Sequence, residues 1–361
     1  MPLALPWEVI ERAVDHSVDD ASALFNLSLT CRQLRPRSLC HIFGHFDLRS
    51  RDDVFALCDF LLGRPHLRPF IRSIAIRPTH FLPYPLLHVL SNLIACTFFT
   101  EDAEPPKTTF HTSTLSCCRL TANGVRSLSI HNLAFPTLLS FSRIISAFKK
   151  LEVLACSRVE IKKDVVLHPG QLERLSKHLQ LRKLSVEWGV DASVAALLLK
   201  LAKPTLESLV LAPTIGTANP YAQLRATSEA SSWARVKCLV IKTTLQTKDV
   251  VLAVKLLKAF HPASLRAVTV SFHSTSYGDY ISILADEAHW ELCLELERVL
   301  RRFPAHTMLF SADEPPAQTP SAFIGTRSWT TPPQVNRAVH VNRPSEPSRS
   351  RLEASGCDHL Y

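Results

Sequence analysis

The stretch Leu181-Arg182-Lys183-Leu184-Ser185-Val186 decides how most of this chain folds. Apolar residues hold its first, fourth and sixth positions, and Leu206-Glu207-Ser208-Leu209-Val210-Leu211 repeats the arrangement. Apolar positions two residues apart lie on the same face of a strand, so the end of each copy reads as a half-buried strand. We therefore predict one short strand per copy.

The same pattern recurs along most of the sequence. Central positions from Leu128 onward are 25 to 30 residues apart, and the gap of 54 residues after Ile74 leaves room for a degraded copy. The apolar triplets are Ile71-Ile74-Ile76, Val125-Leu128-Ile130, Leu151-Leu154-Cys156, Leu181-Leu184-Val186, Leu206-Leu209-Leu211, Val236-Leu239-Ile241 and Leu265-Val268-Val270, with Leu93-Cys96-Phe98 as the degraded candidate.

Helical periodicity fills the spaces between these strands. Apolar stripes run through residues 137–150 and 247–260, and Asp191 and Pro204 bracket a third helix. A strand and a helix that repeat at this period are typical of a solenoid, in which each unit covers the apolar face of the last. The predicted fold class is therefore α/β. Tandem βαβ units in an ordinary parallel sheet are the alternative.

Other elements flank the repeats. Ser50 and Asp53 have the spacing of a capping box, which predicts a connecting helix within residues 47–65. An amphipathic helix over residues 286–303 is expected to cap the repeat domain, residues 66–310. From residue 311 to residue 361, Pro, Ser and Thr replace the apolar periodicity, and we predict a disordered tail.

The first 46 residues read as a separate all-α head of three short helices. The first begins at Pro6, Asp19 or Asp20 caps the second, and Pro36 restarts the chain into the third. The second helix is predicted to carry the apolar stripe Leu24, Leu27, Cys31 and Leu34. So small a module cannot hide all of its apolar residues, so some of this surface is predicted to contact a partner.

The head resembles the F-box motif over about residues 3 to 46. The resemblance rests on Leu5-Pro6-Trp7-Glu8-Val9-Ile10, on Leu27-Ser28-Leu29-Thr30-Cys31-Arg32 and on residues 37–43. It implies docking on the Skp-type adaptor of cullin–RING ubiquitin ligases. The sequence departs from the family in the polar stretch from Asp15 to Asp20. The matching, adaptor-binding positions would be Leu5, Pro6, Glu8, Val9, Leu27, Leu29, Cys31, Arg32 and Leu34.

The repeats resemble degenerate leucine-rich repeats, which receptors of the F-box family often carry. The Asn that normally follows the third apolar position is missing, and Leu133, Val159 and Gly189 are among its replacements. Residues between the apolar positions are expected to face outwards, where they suit recognition of a peptide or protein. The charged or titratable candidates for binding a protein substrate are Arg77, His131, Lys183, Glu187 and Lys242.

Composition narrows the function further. The net charge is +9, but Lys and Arg are spread thinly, which favours a solvated surface over a nucleic-acid site. A basic nucleic-acid binder remains an alternative. The stretch from Pro78 to Thr100 lacks charge, yet its prolines and histidines favour buried structure over a membrane span. No signal peptide is evident, so we expect a cytoplasmic or nuclear protein that binds no membrane.

Motifs for chemistry are sparse. Ten cysteines include no Cys-x-x-Cys, so no zinc site is expected, and the thiols are predicted to be reduced core residues. No phosphate-binding glycine loop, nucleophile elbow or His-Glu-x-x-His occurs. We expect no catalytic residue, metal or cofactor, although a distant Cys–His pair stays open. The sequence favours a substrate receptor of a Skp–cullin–F-box ligase, with a non-catalytic protein-binding scaffold as the alternative.

Overall fold

Ten parallel strands, most of them joined by helices, form one sheet in the computed structural model of the chain. Each inner strand hydrogen bonds to the strands before and after it in the chain, so spatial order equals sequence order. The predicted α/β class with a parallel sheet is confirmed. The structure describes residues 5–77, 84–100, 112–121, 124–163, 168–202, 204–212, 233, 235–244, 246–274 and 287–312.

The strands are short, apart from two neighbours near the middle of the sheet. They are β1 (His45–Leu48), β2 (Ser73–Ile76), β3 (Ala95–Phe99), β4 (Ser127–Thr137), β5 (Val153–Lys163), β6 (Lys183–Val186), β7 (Ser208–Leu211), β8 (Cys238–Thr243), β9 (Ala267–Ser274) and β10 (His306–Ala312).

Three helices precede the sheet and others connect its strands. They are α1 (Trp7–His16), α2 (Ala21–Thr30), α3 (Arg35–Phe43), α4 (Arg51–Gly63), α5 (Tyr84–Val89), α6 (Thr112–Thr121), α7 (Leu138–Ser146), α8 (Pro169–His178), α9 (Ala192–Ala202), α10 (Thr247–Ala259) and α11 (Glu287–Leu300). A 3₁₀ helix, Pro65–Phe70, follows α4.

The apolar triplets of the sequence form continuous buried rows across the sheet. Leu184 lies opposite Leu154 and Leu209, and the next row places Val186 between Cys156 and Leu211. All the predicted triplets, including Leu93-Cys96-Phe98, are buried. Burying one such side chain contributes about 1.5–3 kcal/mol, so the rows account for much of the driving force for folding.

Two strands lie outside the predicted triplets. For β1 the triplet is Phe43-Phe46-Leu48, whose first residue also ends α3. For β10 it is Phe303-His306-Met308, in which a histidine lies opposite Val268 in the apolar row. The sheet therefore begins at His45 and continues after the helix that was expected to cap it.

Helix caps agree with the sequence. Ser50 accepts a hydrogen bond from the backbone N–H of Asp53, and Asp53 accepts one from that of Ser50, which forms the predicted capping box of α4. The hydrogen bond that the Asp53 carboxylate accepts from the backbone N–H of Ser50 also lowers the pKa of Asp53. Asp191 accepts from the backbone N–H of Ser193 at the start of α9, at 2.8 Å. These caps pair N–H groups that the helices leave open.

The head contains three helices, but the second ends earlier than predicted. α2 stops at Thr30, Cys31 is extended, and Leu34 is the residue that precedes α3. A single helix through Leu34 is therefore wrong. Of the predicted stripe, Leu24 and Leu27 lie on α2, whereas Cys31 and Leu34 lie in the connection between α2 and α3.

The head has its own small apolar cluster. Val14, Leu24 and Leu34 are its buried members, and α3 also turns Leu39 and Phe43 towards the main core. Phe43 stacks on Phe46 and lies 6.0 Å from Phe60, measured between ring centroids. The head and the sheet consequently belong to one compact unit.

Two further predictions concern less ordered or apolar stretches. Of the uncharged segment from Pro78 to Thr100, residues 84–100 contain α5 and β3. Among the described residues no helix is both long and apolar enough to cross a bilayer. The predicted disordered tail lies outside the described residues from 313 onward, whereas residues 311 and 312 belong to β10, which corrects its start.

Candidate protein-binding surfaces

The most exposed apolar side chains of the described chain are concentrated in the head. Leu5 is 67% exposed, Phe25 58% and Leu29 68%, and Val9 and Val18 are also exposed. Elsewhere in the described residues, only α4 and the approach to β3 expose large apolar side chains. An apolar patch of this kind on a folded unit marks an interaction site.

Helix α2 is apolar on two opposite faces. Leu24 is buried and Leu27 packs against the same head cluster, while Phe25 and Leu29 point to solvent. Phe25 and Leu29 are four residues apart, so they are neighbours on one side of the helix. The helix therefore has one apolar face for its own fold and a second that nothing in the described chain covers.

The structure places the predicted adaptor-binding residues in three environments. Leu5, Pro6, Glu8, Val9, Leu29 and Arg32 are exposed, Leu27 and Cys31 are partly buried, and Leu34 is buried. Leu34 thus lies in the head core. The sequence analysis missed Phe25, although its spacing of four residues from Leu29 was a usable signal.

Acidic residues of α1 anchor that helix to α3. Arg37 donates to both carboxylate oxygens of Asp15, at 2.8 and 2.6 Å, and also pairs with Glu11 at 2.7 Å. The His41 ring lies 2.9 Å from Asp15. The hydrogen bond from Arg37 holds the pKa of Asp15 well below its usual value. This clamp ties α1 to α3.

The predicted substrate-binding residues do not form one group. Lys183 lies at the start of β6, whereas Glu187 and Lys242 lie at the opposite end of the strands. There the Nζ of Lys242 is 2.8 Å from Oε1 of Glu187. This ion pair joins β6 and β8, with β7 between them.

Two more predicted residues lie on the same side of the sheet as Glu187 and Lys242. His131, on β4, is 2.6 Å from the Ser157 hydroxyl, its direct neighbour on β5. Arg77 follows β2. Four of the five predicted residues therefore share one register position, directly after the third apolar residue in β2, β4, β6 and β8, and this edge of the sheet is rich in polar side chains.

An aromatic residue that the sequence analysis did not single out joins this edge. The Trp188 ring, just after β6, meets the His273 ring edge-on at a centroid distance of 6.4 Å. Gly189 follows with a positive φ of 72°, and an added Cβ there would lie 3.2 Å from the Cα of Arg158. A tryptophan next to a glycine turn was the available signal. Indole side chains are common at protein interfaces because they are apolar with one polar group.

The described thiols do not form a reactive site. Cys96, Cys118 and Cys156 are buried, and burial raises the pKa of Cys118 to about 12. A thiol with so high a pKa stays protonated near neutral pH, and the thiolate is the nucleophilic form. Within the described residues no three His, Cys, Asp or Glu side chains are arranged to hold a metal ion.

Comparison with known proteins adds no relative. No protein-family model matches this sequence, and no curated protein matches it either.

Proposed function

We propose that this chain is the substrate receptor of a Skp–cullin–F-box ubiquitin ligase. The observation that carries the proposal is the second apolar face of α2, formed by Phe25 and Leu29. Exposed apolar side chains on one helix face are typical of a surface that a partner covers, because burying them removes apolar area from water. The F-box resemblance of the head identifies the Skp-type adaptor as that partner.

The sheet would hold the target. Its sequential parallel order supports a repeat domain built by stacking equal units, as in degenerate leucine-rich repeats. The polar edge with Glu187, Trp188 and Lys242 offers hydrogen bonds, an indole ring and paired charges to a protein surface. The receptor would act by raising the effective concentration of the target near the transferred ubiquitin, and its own residues would carry no reaction step.

A pair of matched double variants tests the head. Phe25→Asp with Leu29→Asp removes the exposed face of α2, and Phe55→Asp with Leu62→Asp makes the same changes at exposed positions of α4. The full-length chain should co-purify with a Skp-type adaptor, and only the α2 variant should lose it. Leu34 is unsuitable for this test because its substitution disrupts the head core.

The result separates two functions. Retention of the adaptor by the α2 variant at wild-type stoichiometry would contradict the receptor proposal. A wild-type chain that captures no adaptor would favour the scaffold alternative, in which the head closes the end of the sheet. The packing of Leu39 and Phe43 against the main core is the observation that favours that alternative.

A further inference from the structure

The loops that lead into the strands bring together basic residues that are far apart in the sequence. In a parallel sheet all strands start on the same side, here called the amino edge. Its basic row is defined by the exposed residues that directly precede their strands, which are Arg72, Arg126, Arg182, Lys237 and Arg266. Neighbouring strands are about 4.8 Å apart, so residues scattered over the sequence become near neighbours.

The opposite edge carries a smaller excess of positive charge. Among the described segments that run from a helix end to the next strand, Glu152 and Glu207 are the only acidic residues. In the described segments that follow the strands, Arg49 and Arg77 balance Glu187 and Asp191, and the last residues of β5 and β8 add Lys162, Lys163 and Lys242. Among the described residues, positive charge is therefore more concentrated where the strands begin than where they end.

Backbone hydrogen bonds hold part of the row in register. The N–H of Glu152 donates to the carbonyl of Arg126, and the same bond recurs from Arg182 to Glu152 and from Glu207 to Arg182, each at 2.8 Å. Their side chains pair as well, Arg126 with Glu152 at 3.4 Å and Arg182 with Glu207 at 3.1 Å. The hydrogen bond from Arg182 lowers the pKa of Glu207.

The row ends in Lys237 and Arg266. The carboxylate next to Lys237 in the row is Glu207, which already pairs with Arg182 and whose pKa the charge of Lys237 also lowers. Lys237 donates its N–H to the carbonyl of Glu207, and Arg266 donates to that of Lys237 at 2.7 Å. Within the described part of the chain neither side chain forms a salt bridge. Lys183, on the outer row of β6, adds a third exposed cation near this end. Like charges so close repel one another, and carboxylates from outside would relieve that repulsion.

We propose that the amino edge binds an acidic segment of the target protein, mainly through Lys237 and Arg266. The proposal rests on the proposed function only in calling the partner a target. Glu152 and Glu207 interrupt the row, so a uniformly charged phosphate chain would meet carboxylates, whereas a peptide can place its acidic side chains beside the cations alone. Single-stranded nucleic acids also need aromatic stacking. No exposed Phe, Tyr or Trp occurs in the described segments that lead into the strands.

Charge reversal tests the edge in the full-length protein. The variant is Lys237→Glu with Arg266→Glu, and the control is Lys248→Glu with Lys255→Glu at exposed positions of α10. The probe is a fluorescently labelled peptide in which glutamates are separated by serine and glycine, followed by anisotropy at low ionic strength. We expect the edge variant to bind the peptide about tenfold or more weakly, because dissolved ions screen charge–charge attraction little at low ionic strength. The control should bind it as the wild type does.

Several results would overturn the proposal. These are an absence of peptide binding by the wild type, equal weakening in both variants, and tighter binding of a single-stranded DNA of the same charge. Adaptor capture is measured on the same samples and should survive in both variants. Capture without peptide binding would therefore refute the edge alone, and charge-sensitive peptide binding without capture would refute the receptor proposal alone.

Discussion

At the scale of single residues, Gly189 allows the chain to turn sharply after β6. Its φ of 72° lies in the left-handed region, which side chains with a Cβ adopt at a cost. The backbone also approaches Arg158, whose N–H donates to the carbonyl of Trp188 at 2.7 Å. The conformation of the polar edge after β6 therefore depends on the backbone of Gly189.

Gly189→Ala should lower the free energy of unfolding by about 1–2 kcal/mol, because the new Cβ adds left-handed strain to a close contact with Arg158. Urea unfolding measures the change. Gly63→Ala is the control, since it ends α4 in open space, and alanine there should be neutral or stabilising. Equal stability of the two variants would show that the turn after β6 relaxes without strain.

At the scale of the element, the head shows what a periodic pattern can and cannot predict. The stripe of Leu24, Leu27, Cys31 and Leu34 identified side chains that are buried together or pack against one cluster. It did not reveal that α2 ends at Thr30, since a helix and the connection that follows it can bury the same side chains as one longer helix. The interaction of Asp15 with Arg37 was invisible for a related reason, because it joins separate helices 22 residues apart.

The Asp15 clamp predicts how the head responds to acid. The folded-state pKa of Asp15 is depressed, so its contribution to stability is complete above the unfolded value near 4 and is lost as the pH falls below it. Adaptor capture should decline below about pH 4 in the wild type. Asp15→Asn should weaken capture already at neutral pH and flatten this decline. Circular dichroism at each pH separates loss of the head from global unfolding, and an unchanged pH profile in the variant would contradict the assignment.

At the scale of the whole molecule, the sequence predicted the sheet better than its ends or surfaces. The central strands were predictable because every unit must bury the same three positions. β10 escaped because His306 interrupts its triplet, and β1 because Phe43 belongs to a helix as well as to the pattern. The basic row at the amino edge was hidden because its members come from different units, and only the register of the sheet aligns them.

The two apolar clusters predict separate responses to cavities. Leu34→Ala in the head and Leu209→Ala in β7 should each cost about 2–5 kcal/mol, since both side chains are buried. Hydrogen exchange measured by mass spectrometry should rise in residues 7–43 for the first variant and across the neighbouring strands for the second. Faster exchange throughout the chain in Leu34→Ala would show instead that the head and the sheet open as one unit.

The junction between α3 and β1 consists of Gly44 alone. A Cβ on this residue would clash with the carbonyl oxygen of Cys40, and the Gly44 carbonyl accepts hydrogen bonds from the backbone N–H groups of Arg72 and Ser73 in the next unit. The head is thus joined to the sheet without a tether. In the proposed receptor, the head and the sheet would therefore keep a fixed relative orientation. The position of each lysine on the target, and not the motion of a flexible linker, would then determine which lysines receive ubiquitin.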